Sequence, residues 1–175
     1  MKFTKESKIL LDRAINEAKI LGADQVLPEH VIKAILEYYR LAEKEEVDSK
    51  SLWEALQKGD YYKDLLKAVQ SVTGTDTNVE WSERDISMSP ELMAVVSSVW
   101  IMSGMSEVTV PAIMEVSLKT TKSLRSDSIA KSAADSVVYY LRDEKRQENE
   151  EQPEVFDGID DDDEDEPKPV SKIDL

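Results

Sequence analysis

Apolar residues recur at three- and four-residue steps through most of the chain before its acidic C-terminal end, a spacing typical of amphipathic helices. In the opening segment Thr4 is a predicted N-cap, and Gly22 is the predicted end of the first helix. Pro28 stands where the first turn of a second helix is expected. Two shorter helices are predicted over residues 49–58 and 61–72.

The helical pattern lapses between residues 73 and 87, where threonine, glycine, aspartate and asparagine favour turns. We predict that this stretch connects two halves of the protein. The pattern resumes at Ser89, a predicted cap that is followed by a first-turn proline. A further helix is predicted over 111–121, with one or two more after Ser123.

The second half repeats the plan of the first, which is helix, glycine, short loop and helix. A shift of 82 residues without gaps places Gly22 on Gly104, and several apolar positions agree. Coincidence between two amphipathic hairpins is the alternative. Each half alone, at roughly 70 residues, would have a marginal core. We therefore predict an all-α, eight-helix, pseudo-twofold bundle of two four-helix repeats. The predicted boundaries are repeat one at about 1–72, the connector at 73–87 and repeat two at about 88–146.

Charge is concentrated at the C-terminal end. The 175 residues hold 22 Lys and Arg against 37 Asp and Glu, a formal net charge of −15. Residues 1–142 account for −4 and residues 143–175 for −11. The unbroken acidic run at 160–166 repels itself and has no apolar periodicity. We therefore predict a folded domain over 1–146 and a disordered acidic tail or linker over 147–175.

Composition excludes several classes of function. Without a clustered basic surface, an acidic chain is not expected to bind nucleic acid or anionic membranes. The absence of cysteine excludes disulfide scaffolds, thiol catalysis and iron–sulfur clusters. No apolar run approaches the roughly 20 residues of a membrane span, and the opening residues lack the apolar stretch of a signal peptide. A cytoplasmic location is therefore predicted.

Three stretches of the first half resemble the Clp N-terminal domain. They are residues 3–10, 17–22 and 28–32, and the most specific part is the Glu-His pair within the third. In the second half, residues 104–110 resemble the degenerate second repeat of the ClpA branch. The resemblance extends over both predicted repeats in order.

The resemblance implies a non-catalytic domain that recruits substrates and adaptors to a Clp-type AAA+ unfoldase or protease. The implied partners are the AAA+ motor, in cis or in trans, substrate proteins and an N-degron-type adaptor. The isolated domain is expected to be monomeric and to need no cofactor. The chain has no G-x-x-x-x-G-K-[ST] loop, so any ATPase is expected outside these residues.

Two other functions stay open at this point. The first is a stand-alone regulator that acts through its acidic tail. The second is an enzyme with carboxylate chemistry, although neither spacing nor apolar surroundings mark any pair of acids as a tuned acid and base.

The resemblance also suggests candidate binding residues. In the ClpC branch each repeat can present a phosphoarginine pocket that uses a threonine at the first helix start and a glutamate in the second helix. Thr4 and Glu29 occupy the first such pair of positions. The ungapped shift puts Ile86 and Pro111 at the second pair, which predicts that this pocket is absent. Helix capping for Thr4 and dipole stabilisation for Glu29 are the structural alternatives.

The remaining candidates are the single histidine and the aromatic residues. His30 has no partners for a metal site or a catalytic triad, so a buried, hydrogen-bonded role is predicted. Trp81 stands in the polar connector, where it either plugs the gap between the halves or offers an exposed anchor. Two tyrosine pairs can each bury one ring and expose the other. With Trp81, the possible partner-surface aromatics are Tyr38, Tyr39, Tyr61 and Tyr62.

Overall fold

Helices dominate the computed structural model, which describes residues 1–151 and the side chains of residues 1–143. The eight α-helices of this part are α1 Lys5–Ile20, α2 Pro28–Leu41, α3 Lys50–Leu56, α4 Tyr61–Thr73, α5 Pro90–Met102, α6 Val110–Thr120, α7 Lys122–Arg125 and α8 Ser128–Glu151. Two short strands, β1 Gln25–Val26 and β2 Ser87–Met88, and two 3-10 turns, Lys44–Glu46 and Val79–Glu83, complete it. The predicted all-α class is confirmed. Helix α8 runs past the predicted boundary at 146, and the rest of the predicted tail, 152–175, lies outside the described residues.

Hydroxyl side chains cap the first helix of each repeat, as the sequence predicts. Thr4 Oγ1 accepts a hydrogen bond from the backbone N–H of Ser7, at 3.2 Å. Ser89 Oγ accepts one from the backbone N–H of Leu92, at 3.1 Å. These bonds satisfy donors that a helix start leaves without an intrahelical partner, and so they fix where α1 and α5 begin.

The two repeats are joined where the first helix of each begins. Phe3 pairs with Val108 in a parallel bridge, and the backbone N–H of Thr4 donates to the carbonyl of Val108, at 3.0 Å. In the other direction β1 pairs in parallel with β2, and the N–H of Ser89 donates to the carbonyl of Val26, at 2.9 Å. Each repeat therefore supplies the acceptor for the other repeat's N-cap residue. We call this arrangement the reciprocal pairing.

The structure corrects the register of the repeat in its first helix. Thr4 and Ser89 occupy the same place, 85 residues apart, whereas the glycines that end the two helices are 82 residues apart. Helix α1 has 16 residues and α5 has 13, so α5 is shorter by about one turn. The ungapped shift is therefore wrong here: Ser89, not Ile86, stands at the position of Thr4.

Both repeats contribute to the buried core, and α2 lies at its centre. Ten of the 14 residues of α2 are buried, and the helix contacts α1, α3, α4, α5 and α6. The largest fully buried side chains are Tyr39, Leu10, Ile32, Ile35, Leu36, Leu52, Leu65, Leu92, Ile113, Met114, Leu118 and Leu124. Among the helices of the described residues, none is both long and apolar enough to span a bilayer.

Hydrogen bonds fasten the connector between the repeats to the end of α1. The N–H of Asn78 donates to the carbonyl of Ile20, at 2.7 Å. The Arg84 guanidinium donates to the carbonyls of Lys19 and Ala23, at 2.9 and 3.0 Å. These bonds use carbonyls in and just after the last turn of α1, and they hold the 3-10 turn Val79–Glu83 against that helix.

Trp81 covers the end of α1. Its ring lies so close to Gly22 that a Cβ at that position would be 2.1 Å from Trp81 Cζ3. The side chain nevertheless keeps 41% of its surface exposed. The indole therefore packs on the first repeat with one edge and faces solvent with another.

Replacing Gly22 tests this contact. Gly22 and Gly104 have φ values of +78° and +72°, where alanine costs about 1–2 kcal/mol. Nothing lies within 4 Å of a Cβ at Gly104, so Gly104→Ala should lower the free energy of unfolding by that amount alone. Gly22→Ala should lose about 1–3 kcal/mol more, because Trp81 has to move.

Urea denaturation of both variants gives the comparison. In a chain that already carries Trp81→Ala, Gly22→Ala should cost about as much as Gly104→Ala, because the obstructing ring is gone. Equal losses for Gly22→Ala and Gly104→Ala would contradict the contact.

Candidate functional site

A cavity of about 330 Å³ lies where the starts of α2 and α5 meet the junction of α6 and α7. Its lining residues are Leu27, Pro28, Glu29, Glu91, Val95, Thr120, Thr121 and Lys122. The bond from Ser89 to Val26 brings the two helix starts together. Glu29 and Glu91 are each the second residue of their helix, so both line the same cavity. We call it the Glu29 cavity.

The polar groups of the Glu29 cavity suit a ligand with a cationic part. Glu29 is buried and its Oε2 accepts a hydrogen bond from Ser123 Oγ, at 2.7 Å. The two carboxylates outnumber the single ammonium group of Lys122, and helix starts favour negative charge. Thr121 Oγ1 is buried without a hydrogen-bond partner. The cavity thus offers acceptors for a cation and one cation for an anionic group, whereas the Thr121 hydroxyl is shielded from it.

Thr4 takes part in a separate group of hydrogen bonds at the start of α1. Its hydroxyl accepts from the Ser7 N–H and donates to Ser7 Oγ, at 3.0 Å. Ser7 Oγ in turn donates to the carbonyl of Val108, at 2.9 Å. Thr4 is not among the residues that line the Glu29 cavity. The structure therefore places Thr4 and Glu29 at the two opposite ends of the reciprocal pairing.

Glu6 is the counterpart of Glu91 in the first repeat, and it is part of the core. Its carboxylate accepts hydrogen bonds from the Tyr39 hydroxyl, at 2.6 Å, and from the N–H of Asp48, at 3.1 Å. Burial raises the pKa of Glu6, and burial together with the neighbouring Glu6 raises the pKa of Tyr39. Tyr39 is fully buried, so its prediction as a partner-surface aromatic is wrong. Its hydroxyl is committed to a buried carboxylate.

The other predicted tyrosines are half-buried, and cationic side chains stack on two of them. The guanidinium of Arg13 lies 5.6 Å from the ring centre of Tyr38, and that of Arg40 lies 4.6 Å from the ring of Tyr62. Tyr61 lines a shallow groove of about 590 Å³ along α8. Tyr139, which sequence reasoning missed, borders the same groove and is 63% exposed.

His30 is buried and hydrogen-bonded, as predicted. Its Nδ1 accepts from the backbone N–H of Leu27, the N-cap residue of α2, at 2.9 Å, as the third-position glutamate of a capping box does. The Nε2 atom must then carry the proton in the neutral ring, so it is a donor and has no lone pair for a metal. Burial lowers the pKa of His30 to about 4, against an opposing effect of the Glu17 carboxylate. The histidine is thus neutral at physiological pH.

Sequence reasoning missed Glu91, Thr121 and Lys122 as members of one site. A signal for Glu91 is present, because a hydroxyl residue followed two positions later by glutamate occurs at Thr4 and again at Ser89. Aligning these two caps gives the correct shift of 85 and pairs Glu91 with Glu6. No comparable signal marks Thr121 and Lys122, which reach the cavity through the packing of α6 and α7.

The N-terminal domain of Hsp104 from Candida albicans has a similar fold. The two chains are 16% identical, the match covers 83% of this chain and 92% of that domain, and the TM-score is 0.59. No protein-family model matches the chain, and no curated protein shows significant sequence similarity to it. The likeness shows a Clp N-type fold, which confirms the fold that the resemblance implied.

We expect His30 to titrate in the folded protein near pH 4 rather than near 6.5. The unfolded chain takes up this proton near pH 6.5, before the folded protein does. Protonation of His30 therefore does not lower the free energy of unfolding above pH 6.5. This free energy should decrease by up to about 3 kcal/mol as the pH falls from 6.5 to 4.

The imidazole signals of this single histidine report the midpoint directly by NMR. Glu6, whose pKa is raised, contributes to the stability curve with the opposite sign, so the NMR titration is the decisive measurement. A midpoint near 6.5 would show that the ring is solvated.

Proposed function

We propose that this chain is a recruitment domain of a Clp or Hsp100-type unfoldase system, and that it has no catalytic activity of its own. It binds substrate proteins, or an N-degron-type adaptor that carries them, for an AAA+ motor joined in cis or acting in trans in the cytoplasm. The observation that carries this proposal is the shared fold, which extends over 92% of the Hsp104 N-terminal domain.

The Glu29 cavity supports a specific mode of recruitment. A phosphoarginine side chain combines a guanidinium-type group with a phosphate. The guanidinium is complementary to Glu29 and Glu91, and the phosphate is complementary to Lys122. We therefore assign phosphoarginine binding to this cavity, with Glu29 as the central contact, and leave Thr4 the role of helix capping.

Binding of arginine-phosphorylated casein to the immobilised chain tests the proposal. We expect Glu29→Gln to weaken this binding at least tenfold, because the variant removes a buried charge that pairs with the guanidinium. Glu54→Gln is the matched control, since it removes an exposed carboxylate on α3 that is paired with Lys44. It should leave the affinity unchanged.

A second experiment tests recruitment to a motor and does not depend on which residues of the chain bind the substrate. The chain is incubated with a Clp-type motor that lacks its own N-terminal domain, and degradation or unfolding of the bound casein is followed. Failure to bind casein, motor and adaptor alike would refute the proposal. Binding that is lost only when the chain is shortened at residue 151 would instead favour a regulator that acts through its acidic tail.

A further inference from the structure

The exposed side of α5 is uncharged and rich in methionine. From residue 92 to residue 106 the chain has no charged residue, although charged residues make up 34% of the sequence. Met93, Ile101, Met102 and Met105 are 57%, 66%, 61% and 66% exposed. Together with Ala94 and Ser97 we call them the α5 face. A surface of this kind on a water-facing helix indicates a partner.

Helix α1 provides an internal comparison, because it has the same place in the other repeat. At the shift of 85 residues, five exposed positions of α1 correspond to five exposed positions of α5. In α1 they are Lys8, Ile9, Asp12, Arg13 and Asn16; in α5 they are Met93, Ala94, Ser97, Ser98 and Ile101. The fold therefore accepts charge at three of these five positions. The uncharged α5 face is a property of this helix and not a requirement of packing.

Met105 adds an independent observation. It has a φ of +60°, the only positive value among the non-glycine residues that the structure describes, and its side chain is 66% exposed. Glycine or asparagine adopts this left-handed conformation more easily. The backbone N–H of Met105 donates to the carbonyl of Trp100, so this conformation belongs to the end of α5 and sets the exposed methionine beside that helix.

The charges at the ends of the α5 face indicate the chemistry of the partner. Glu91 precedes the uncharged stretch and Glu107 follows it. The helix between them is about 20 Å long. We propose that the α5 face binds an amphipathic helix of another protein, one with an apolar side and with lysine or arginine at both ends. Methionine suits this contact because its flexible side chain adapts to different apolar partners.

A second copy of the chain fits the α5 face less well. Two antiparallel α5 helices on a two-fold axis would set Glu91 of one chain beside Glu107 of the other. Each chain also carries a net charge of −15, so two copies repel. A helix with basic ends is instead attracted both by these glutamates and by the negative charge of the chain.

This inference deepens the proposed function, since it names a surface that holds a recruited protein. That surface shares Glu91 with the Glu29 cavity, but its apolar residues lie outside the cavity lining. Its test therefore uses different residues. Ile101→Glu should leave the binding of arginine-phosphorylated casein by Glu29 intact. Loss of one activity without the other distinguishes the two proposals.

The probe is a fluorescein-labelled 18-residue peptide with leucine along one helical side and lysine at both ends. A matched peptide carries glutamate in place of lysine. Fluorescence anisotropy with the full chain should show saturable binding of the lysine peptide only. Ile101→Glu should weaken it at least tenfold. Because this variant makes the chain more acidic, a purely charge-driven attraction would grow stronger instead.

Asn16→Glu is the control, since it adds the same charge at the matching position of α1. It should leave the affinity unchanged. Met105→Gly should weaken binding about threefold while raising the melting temperature, because it removes strain, so a loss of binding cannot be attributed to misfolding.

Three results would overturn the proposal. One is the absence of saturable binding of the lysine peptide. Another is an equal effect of Ile101→Glu and Asn16→Glu. The third is a wild-type dimer in sedimentation velocity that Ile101→Glu dissociates, which would assign the α5 face to a second copy.

Discussion

The reciprocal pairing is the contact on which the arrangement of the helices depends. Two backbone bonds, Thr4 to Val108 and Ser89 to Val26, run in opposite directions between the repeats. A backbone N–H that is withdrawn from water at a helix start needs an acceptor, and here only the other repeat supplies it. The side-chain caps set where α1 and α5 begin, and the two backbone bonds hold each of these helix starts against the other repeat. The same bonds set the starts of α2 and α5 side by side and so create the Glu29 cavity.

The helices of the described residues could be predicted from the sequence because their signals are local. A cap such as Ser89, a glycine such as Gly22 and apolar residues every three or four positions act within one helix. The register of the repeat could not be predicted in the same way. A shift of three residues preserves most of an apolar pattern with a period of 3.6, so the pattern tolerates the error that the ungapped alignment made. Only the N-cap residues show that the first helices are related by a shift of 85 residues and not 82.

The candidate site depends on packing that no local pattern records. The strands that align α2 with α5 have two residues each, too few to show alternation. Which tyrosine of a pair is buried depends on α1, because Tyr39 turns inward to reach Glu6. Glu6 and Glu91 also show how equivalent positions can diverge. One acid lies in the core and the other lies at a cavity, although both stand in the first turn of equivalent helices.

The reciprocal pairing has a consequence for the origin of the chain. Two separate half-length chains, placed on a true two-fold axis, would make the same pair of backbone bonds between subunits. Joining them through a connector converts a bimolecular association into an intramolecular one, so that folding no longer depends on protein concentration. After such a fusion the two halves are free to differ. One half can keep an acid in its core while the other acquires a binding surface, because a substitution no longer appears at both places at once.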